Sequence, residues 1–311
     1  MILCISPNVT LERTWVVPNY RTVGVFRVKE LLVLPSGKGI NVARAVQTLG
    51  GEALGMGFVA GHIGALVADL AAQQNLQCSW TWIEGETRIA AAVVDPEAPD
   101  GDAALTSEAG PTIHPADWER LAADVLERAK SARLACFSGS LPPGTPLQGF
   151  SELIQALQKL GCQVWVDCSG AGLEAAIRSG GVGIKVNGEE IGALFGQPVY
   201  DFETAQRSAQ SMRRMGAESA IVTLGSKGAL LVTPQGSWIA EPPKVKRISS
   251  VGSGDAFMAG WLTGLAQQLD LAEALRSATA AGAANVQTLG GGRFMQTNYD
   301  AALSKVIVTK L

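Results

Sequence analysis

Leu134-Ala135-Cys136-Phe137, Val164-Trp165-Val166, Ile184-Lys185-Val186 and Ala220-Ile221-Val222 are four short apolar runs spaced through the middle of the chain. Between them lie helical patterns: one around Leu153, Leu157 and Leu160, one near Leu173 to Ile177, and one over residues 202–215. Brief β-branched runs separated by helical stretches of roughly 10–15 residues predict parallel strands joined by crossover helices. The last third carries two more helices. In residues 256–269, Phe257, Trp261 and Leu265 recur at i, i+4 and i+8; in the Ala-rich residues 271–287, Leu271, Leu275 and Ala278 share a face. An α/β sheet of this kind takes its ligand at the carboxyl ends of its strands.

Two earlier segments break the pattern. Residues 12–34 and 86–106 are β-rich, with Val16-Val17, Val23-Gly24-Val25, Leu31 to Leu34 and Ile89 to Val94, and flank a helix over 40–49 with Val42, Ala45, Val46 and Leu49 apolar. They read as a small sheet inserted into one large α/β domain spanning 1–311, placed to act as a lid.

The composition excludes several classes. With 25 Lys+Arg against 28 Asp+Glu, a net charge of -3 does not suit a phosphodiester partner, which needs clustered cations. A 47% hydrophobic share excludes disorder, and no apolar run approaches the ~18 residues of a membrane span. Neither nucleic acid nor membrane is expected as a partner. The five cysteines, Cys4, Cys78, Cys136, Cys162 and Cys168, show no C-x-x-C spacing and read as free thiols in a reducing compartment. Met1 to Ile5 is strand-like, without a basic n-region or cleavage site, so a cytoplasmic protein is expected. Of two histidines, His114 precedes Pro115 and the helix-opening Asp117 and reads as an exposed loop residue. His62, in Gly61-His62-Ile63-Gly64, reads either as a turn residue or as a ligand contact.

The 36 glycines exceed the usual share of about 7%, and a good part of the excess falls in loops, at 37 and 39, 61 and 64, 139 and 144, 225 and 228, and 252 and 254; two of these stretches carry chemistry. In Ser250-Val251-Gly252-Ser253-Gly254-Asp255-Ala256-Phe257, small residues free the backbone to present consecutive N–H groups at a helix start, which makes an anion hole. Asp255 there suits a general base taking a proton from a hydroxyl that attacks a bound phosphoryl group; the alternative is a glycine turn with Asp255 capping the helix. In Pro35-Ser36-Gly37-Lys38-Gly39-Ile40-Asn41-Val42-Ala43-Arg44, two glycines allow close approach to backbone while Lys38 and Asn41 add a cation and an amide. It is no Walker A loop, which needs Gly where Leu32 stands and Ser or Thr at 39.

Taken in order, these stretches resemble the ribokinase-like (PfkB) carbohydrate kinases, within them the group of 1-phosphofructokinases and tagatose-6-phosphate kinases. The resemblance runs through Asn8 to Thr14, Gly37 to Arg44, Gly85-Glu86-Thr87-Arg88-Ile89, Ser138-Gly139-Ser140-Leu141-Pro142-Pro143-Gly144, Lys185 to Glu190, Thr223-Leu224-Gly225-Ser226-Lys227-Gly228 and Gly252-Ser253-Gly254-Asp255. It implies a three-layer α/β/α domain with a mainly parallel sheet and a β lid. It also implies ATP as phosphoryl donor, Mg²⁺, and a homodimer through the lid sheet. By the same resemblance Asp255 is the base and the amides of Gly252, Ser253 and Gly254 the anion hole. Asn187 and Glu190 order Mg²⁺ through water, as an ion that keeps its hydration shell requires. Lys185, Thr223, Gly225, Ser226 and Gly228 lie on the nucleotide side. Asn8, Glu12, Gly37, Gly39, Asn41 and Ser138 lie on the sugar side, with Lys38 and Arg88 at the substrate's phosphate. A solvated lid charge is the other reading of Arg88.

The chain departs from the family's usual residues at Glu12 (usually Asp), Ser36 (Gly), Ala90 (Asn), Ala92 (Lys), Val186 (Pro) and Ser253 (Ala). The activity implied is transfer of a phosphoryl group to a hydroxymethyl group of a ketohexose phosphate, of the fructose 1-phosphate or tagatose 6-phosphate type. A kinase for an unphosphorylated sugar or nucleoside, and a non-catalytic sugar sensor on the same scaffold, are the alternatives.

Overall fold

The structure, a computed structural model, describes residues 1–21, 23–98 and 103–311. In chain order its strands are β1 (Ile2–Asn8), β2 (Thr10–Val16), β3 (Glu30–Ser36), β4 (Ala53–Ala60), β5 (Cys78–Ile83), β6 (Arg88–Val94), β7 (Ala103–Ser107), β8 (Leu134–Ser138), β9 (Gln163–Asp167), β10 (Gly183–Asn187), β11 (Ser219–Thr223), β12 (Ala229–Thr233), β13 (Gly236–Glu241) and β14 (Ile307–Lys310). The helices are α1 (Lys38–Thr48), α2 (Gly61–Gln73), α3 (Pro115–Ala129), α4 (Leu147–Lys159), α5 (Gly170–Ser179), α6 (Gly188–Phe195), α7 (Phe202–Met215), α8 (Ser253–Ala266), α9 (Leu271–Asn285) and α10 (Gln296–Leu303).

The four apolar runs of the middle of the chain become β8 to β11, parallel neighbours that continue through β1, β4 and β5 on one side. The sheet ends antiparallel on the other side, through β12, β13 and β14. Alternate side chains leave each strand on opposite faces. Leu3, Ile5, Phe137, Val166 and Ile184 pack against Leu121, Phe150, Leu153, Ile177 and Met212 of α3, α4, α5 and α7. On the other face Ile2, Cys4, Trp165 and Ile221 pack against α1, α8 and α9, where Trp165 meets Trp261 edge-on at 5.1 Å. Each large side chain so buried contributes roughly 1.5–3 kcal/mol. This is the ribokinase-like three-layer architecture expected. All five cysteines are free thiols, four of them buried, and no helix among the described residues is long and apolar enough to cross a membrane.

The second sheet has the order β3-β2-β6-β7, with β2 and β6 parallel. It corrects the expected segment 12–34 at both ends and in its middle: the strands begin at Thr10 and close at Ser36, and the described residues among 17–29 form no strand. Val23 and Val25, read as β from their branching, are 84% and 101% exposed in the connection, without a neighbouring strand to pair with. Part of the expected segment 86–106 falls at 99–102, outside the described residues.

Helix starts also differ from expectation. The expected helix over 256–269 starts instead at Ser253, because Gly252 adopts the left-handed conformation and lets the helix begin inside the glycine turn. His62 lies in the first turn of α2, fully exposed, where the amides of His62 and Ile63 donate to Glu86. His114 is exposed at the N-cap of α3, its N–H donating to Asp117 Oδ2 at 2.8 Å.

Candidate active site

The parallel strands β1, β8, β9, β10 and β11 end on Asn8, Ser138, Asp167, Asn187 and Thr223. Those ends form one crevice with the N-termini of α1 and α8, whose amide ends carry partial positive charge.

The α8 end is built on Gly252, at φ 78°, where a Cβ would sit 2.2 Å from Gly291 Cα, so both conformation and space demand glycine. Its carbonyl accepts from Asp255 N–H at 3.1 Å and Ala256 N–H at 2.9 Å, and Ser253 N–H donates to Ser250 O at 3.2 Å. Asp255 stands in the first turn, 5% exposed, and its Oδ2 accepts from Asn41 Nδ2 at 2.8 Å. Burial pushes its carboxyl up to about 6, and Asp167 adds to that push. Lys38, the Asn41 hydrogen bond and Lys185 pull the other way. A carboxylate poised near neutral pH is what proton acceptance from a hydroxyl requires.

Asn41 opens onto the second sheet. Its Oδ1 accepts from Arg44 Nη1 at 2.9 Å, and Ser36 Oγ lies 2.9 Å from both Asn41 Oδ1 and Glu12 Oε2. Glu12, 5% exposed, also accepts from Thr14 Oγ1 at 3.1 Å. Two of the departures from the family's usual residues, Glu12 and Ser36, are thus hydrogen-bonded to each other.

On the other side of Asp255 stands a charged chain that sequence reading placed only in part. Asp167, fully buried, bridges two ammonium groups, Lys38 Nζ at 2.9 Å and Lys185 Nζ at 2.7 Å. Lys38 also reaches Glu190 Oε1 at 3.2 Å. Burial works against the Asp167 charge, yet Lys185 and Lys38 outweigh it and hold the carboxyl below its ordinary range. For Lys38, burial pulls the ammonium down, but Asp167, Glu190 and Asp255 together leave it raised, hence charged at neutral pH. Lys185 lies against the glycine turn: a Cβ on Gly254 would be 2.7 Å from its Nζ. Asp167 was missed because it carries no motif; its position at the carboxyl end of a parallel strand is the signal that marks it.

Asn187 and Glu190 form a reciprocal cap on α6. Asn187 Oδ1 accepts from Glu190 N–H at 2.8 Å, and Glu190 Oε2 from Asn187 N–H at 2.9 Å. Among the described residues no group of three or more His, Cys, Asp or Glu could hold a metal directly. The donor set therefore fits only an ion that keeps its waters and leans on one carboxylate, Glu190.

The remaining expected residues are placed as follows. Gly37 caps α1 and Gly39 is buried in its first turn. Arg88 gives Nε and Nη2 to Asn8 O, at 3.2 and 2.9 Å, and Nη1 to Glu108 O and Ser107 Oγ, which roots the second sheet on the end of β1. Asn8 Nδ2 donates to Ala109 O and to Ser140 Oγ at 3.1 Å. Ser138 is fully buried and its hydroxyl has no partner among the described residues, so the exposed hydroxyl of that turn is that of Ser140. Thr223 Oγ1 reaches Val186 O at 3.4 Å, and Gly225 and Ser226 lie in the short turn that follows. Gly228 is committed to packing, since a Cβ there would lie 2.0 Å from Ala240 O.

A buried carboxylate at the third residue of a glycine-capped helix, beside two paired lysines on a ribokinase-like sheet, defines the class: a phosphotransferase. The chain belongs to the pfkB family of carbohydrate kinases, whose model matches residues 10–298. It is 29% identical over 313 residues to a 1-phosphofructokinase of Bacillus subtilis (strain 168), covering 100% of both chains. It is 30% identical to a 1-phosphofructokinase of Haemophilus influenzae over 91% of this chain and 90% of that one. Phosphofructokinase-2 from Escherichia coli, solved in complex with potassium, superposes with a TM-score of 0.89 at 30% identity, covering 97% of this chain and 98% of that one.

Proposed function

We propose that the protein transfers the γ-phosphoryl group of ATP to a hydroxymethyl group of a ketohexose phosphate, of the fructose 1-phosphate or tagatose 6-phosphate type. The observation that carries this reading is the buried Asp255 carboxylate, held by Asn41 at the start of α8 and poised near neutral pH. The substrate class is supported by the relatives at full length that are 1-phosphofructokinases.

The mechanism follows from the geometry. The substrate hydroxyl gives its proton to Asp255 as its oxygen forms a bond to the γ-phosphorus; the bond from that phosphorus to the bridging oxygen breaks, and ADP leaves with the electron pair. The Gly252 and Gly254 amides and the Lys185 ammonium face the charge that builds on the transferring group; the Ser253 amide, expected beside them, donates to Ser250 O at 3.2 Å instead. Glu190 would hold Mg²⁺ through water, with Asn187 beside it, and the ion would neutralise phosphate charge. Thr223, Gly225 and Ser226 border the nucleotide. Glu12, Gly37, Gly39 and Asn41 hold the sugar. Lys38, expected at the substrate's own phosphate, is tied instead to Asp167 and Glu190 and from there serves the transferring phosphates. The second sheet closes over the sugar and excludes water.

Coupled ADP-release assays across ketohexose phosphates, free sugars and nucleosides test this; turnover confined to unphosphorylated acceptors would overturn it. Arg88 is proposed as the clamp for the substrate's own phosphate, exchanging neutral carbonyl acceptors for a charged one. Arg88→Ala is expected to raise KM for the sugar phosphate by roughly 10–100-fold, with KM for ATP nearly unchanged. An equal rise in both would remove Arg88 from the sugar side.

A homodimer through the second sheet is also proposed. Val25, 101% exposed, Leu105, 63%, and Val28, 46%, lie on this sheet and its β2–β3 connection, and β3 and β7 are open edges. Sedimentation equilibrium should give twice the chain mass for the wild type and a monomer for the pair Val25→Asp and Leu105→Glu; a wild-type monomer refutes the assembly.

A further inference from the structure

Arg44, in the last turn of the Gly37 to Arg44 stretch, is given no role by the mechanism above. Arg44 is 6% exposed, and among the described residues each of its side-chain hydrogen bonds goes to a neutral acceptor, with the Glu12 and Asp255 carboxylates acting on it only through space. Nε donates to Gln74 Oε1 at 3.0 Å, Nη1 to Asn41 Oδ1 at 2.9 Å and Gly291 O at 2.8 Å, and Nη2 to Pro35 O. Burying a charge without a bonded carboxylate is costly, and a leucine or methionine would fill the space at less cost. Burial brings the group down only to about 10, so it is charged at neutral pH.

Its bonding pattern shows what the charge does. An asparagine amide can sit in two orientations, and guanidinium offers donors only. Beside Arg44, Asn41 must turn Oδ1 inward, which sends Nδ2 to Asp255. The flipped amide would set NH₂ against guanidinium and carbonyl against carboxylate. The Gly291 contact reaches the anion hole by a second route. A Cβ on Gly292 would lie 2.1 Å from Asn41 O, and one on Gly252 2.2 Å from Gly291 Cα, so Asn41, the 290–292 loop and the Gly252 turn are stacked backbone to backbone. Buried Asn285 holds the far side of this stack, accepting from Gly292 N–H at 3.0 Å and donating to Gly290 O at 3.3 Å.

We propose that Arg44 is a positioning residue for phosphoryl transfer: it fixes the Asn41 amide with its NH₂ on Asp255 and keeps the 290–292 loop seated on the Gly252 turn, so that base and anion hole stay in register. The proposal rests on the reading of Asp255 as base. The charged groups acting on Asp255 are Lys38 and Arg44 from α1, Lys185 from β10 and Asp167 from β9. Arg44→Lys keeps the charge among these, but its single ammonium cannot span Asn41 Oδ1, Gly291 O and Pro35 O together as the planar fork does, so the Asn41 amide and the 290–292 loop are no longer held at once.

The test compares kcat–pH profiles of the full-length wild type, Arg44→Lys, Asn41→Ala and the double variant, with unfolding curves alongside. Arg44→Lys is expected to lower kcat about tenfold and to move the acid limb up by about half a pH unit. The double variant should lose no more than about threefold beyond Asn41→Ala, because Arg44 acts through Asn41. A wild-type kcat and acid limb in Arg44→Lys overturns the proposal, as does a double variant slowed by the full product of the single effects. If Arg44→Lys does not fold, Arg44→Gln, whose amide offers both a donor and an acceptor and so no longer dictates the Asn41 orientation, takes its place. Failure of the base reading is distinguishable: Asp255→Asn would then keep its turnover and the acid limb would be missing from the wild type.

Discussion

Asp255→Asn is expected to lower kcat by about 10²–10⁴, the usual contribution of a positioned general base. KM for both substrates should move little, since the amide retains an acceptor for Asn41. The wild-type rate should fall off below about pH 6, where the Asp255 carboxyl takes up a proton. The same substitution should stabilise the fold. A carboxyl that titrates at about 6 in the folded chain, against an ordinary value of 3.8, binds its proton more tightly folded than unfolded. Folding stability therefore drops as pH rises from 4 to 6, and at pH 7.5 the burial of this charge costs on the order of 3 kcal/mol. Removing it should raise the urea midpoint as turnover collapses. A slow variant that is also less stable would point to a structural role for the residue.

Asp167→Asn should do the reverse to stability. Here the carboxylate lies between two ammonium groups at 2.9 and 2.7 Å, fully out of water. Neutralising it leaves two cations facing each other without their shared counter-ion, a loss of about 3–5 kcal/mol. The carboxyl titrates below its ordinary value, so its stabilising contribution is present above pH 4 and disappears as pH falls through the lowered range. The difference in unfolding free energy between wild type and variant should accordingly be full at pH 7 and shrink in acid. Turnover should fall about 100-fold, because Lys38 and Lys185 lose the group that places them. A variant within a few tenths of a kcal/mol of wild type would mean that the lysines are held by something else.

These two aspartates also mark how far the sequence can be read. Asp255 was legible because its surroundings are local: a glycine turn, a helix start and a carboxylate fall within four residues. Asn187 and Glu190 were legible for the same reason, although their spacing first of all makes a helix cap. The parallel strands were legible because burial on both faces leaves short, uninterrupted apolar runs. Asp167 was not, since its meaning depends on Lys38, 129 residues away. Nor was the contact of Ser36 with Glu12, 24 residues apart, which only the pairing of β2 with β3 brings about. α2 was hidden by the two glycines of its first turn, and the valines of residues 17–29 gave a strand signal where no partner strand exists.

The chain enters and leaves the second sheet twice, at Val9 and Gly37 and again just before Arg88 and just after Ser107, and all four links lie beside the end of β1, where Arg88 and Ala109 bond Asn8. β1 runs into β2 with only Val9 between them, and β3 passes through Gly37 into α1; a Cβ on Gly37 would lie 3.2 Å from Val9 Cα. With all four covalent links gathered there, the sheet is mounted as a lever on a single fulcrum. At about 3.3 Å per residue, β2 reaches some 23 Å beyond Val9, so a tilt of about 10° would carry its tip through roughly 4 Å and Glu12 through less than about 2 Å. The far end of the sheet can therefore travel far while the Glu12 carboxylate and the Ser36 hydroxyl beside the fulcrum stay almost still.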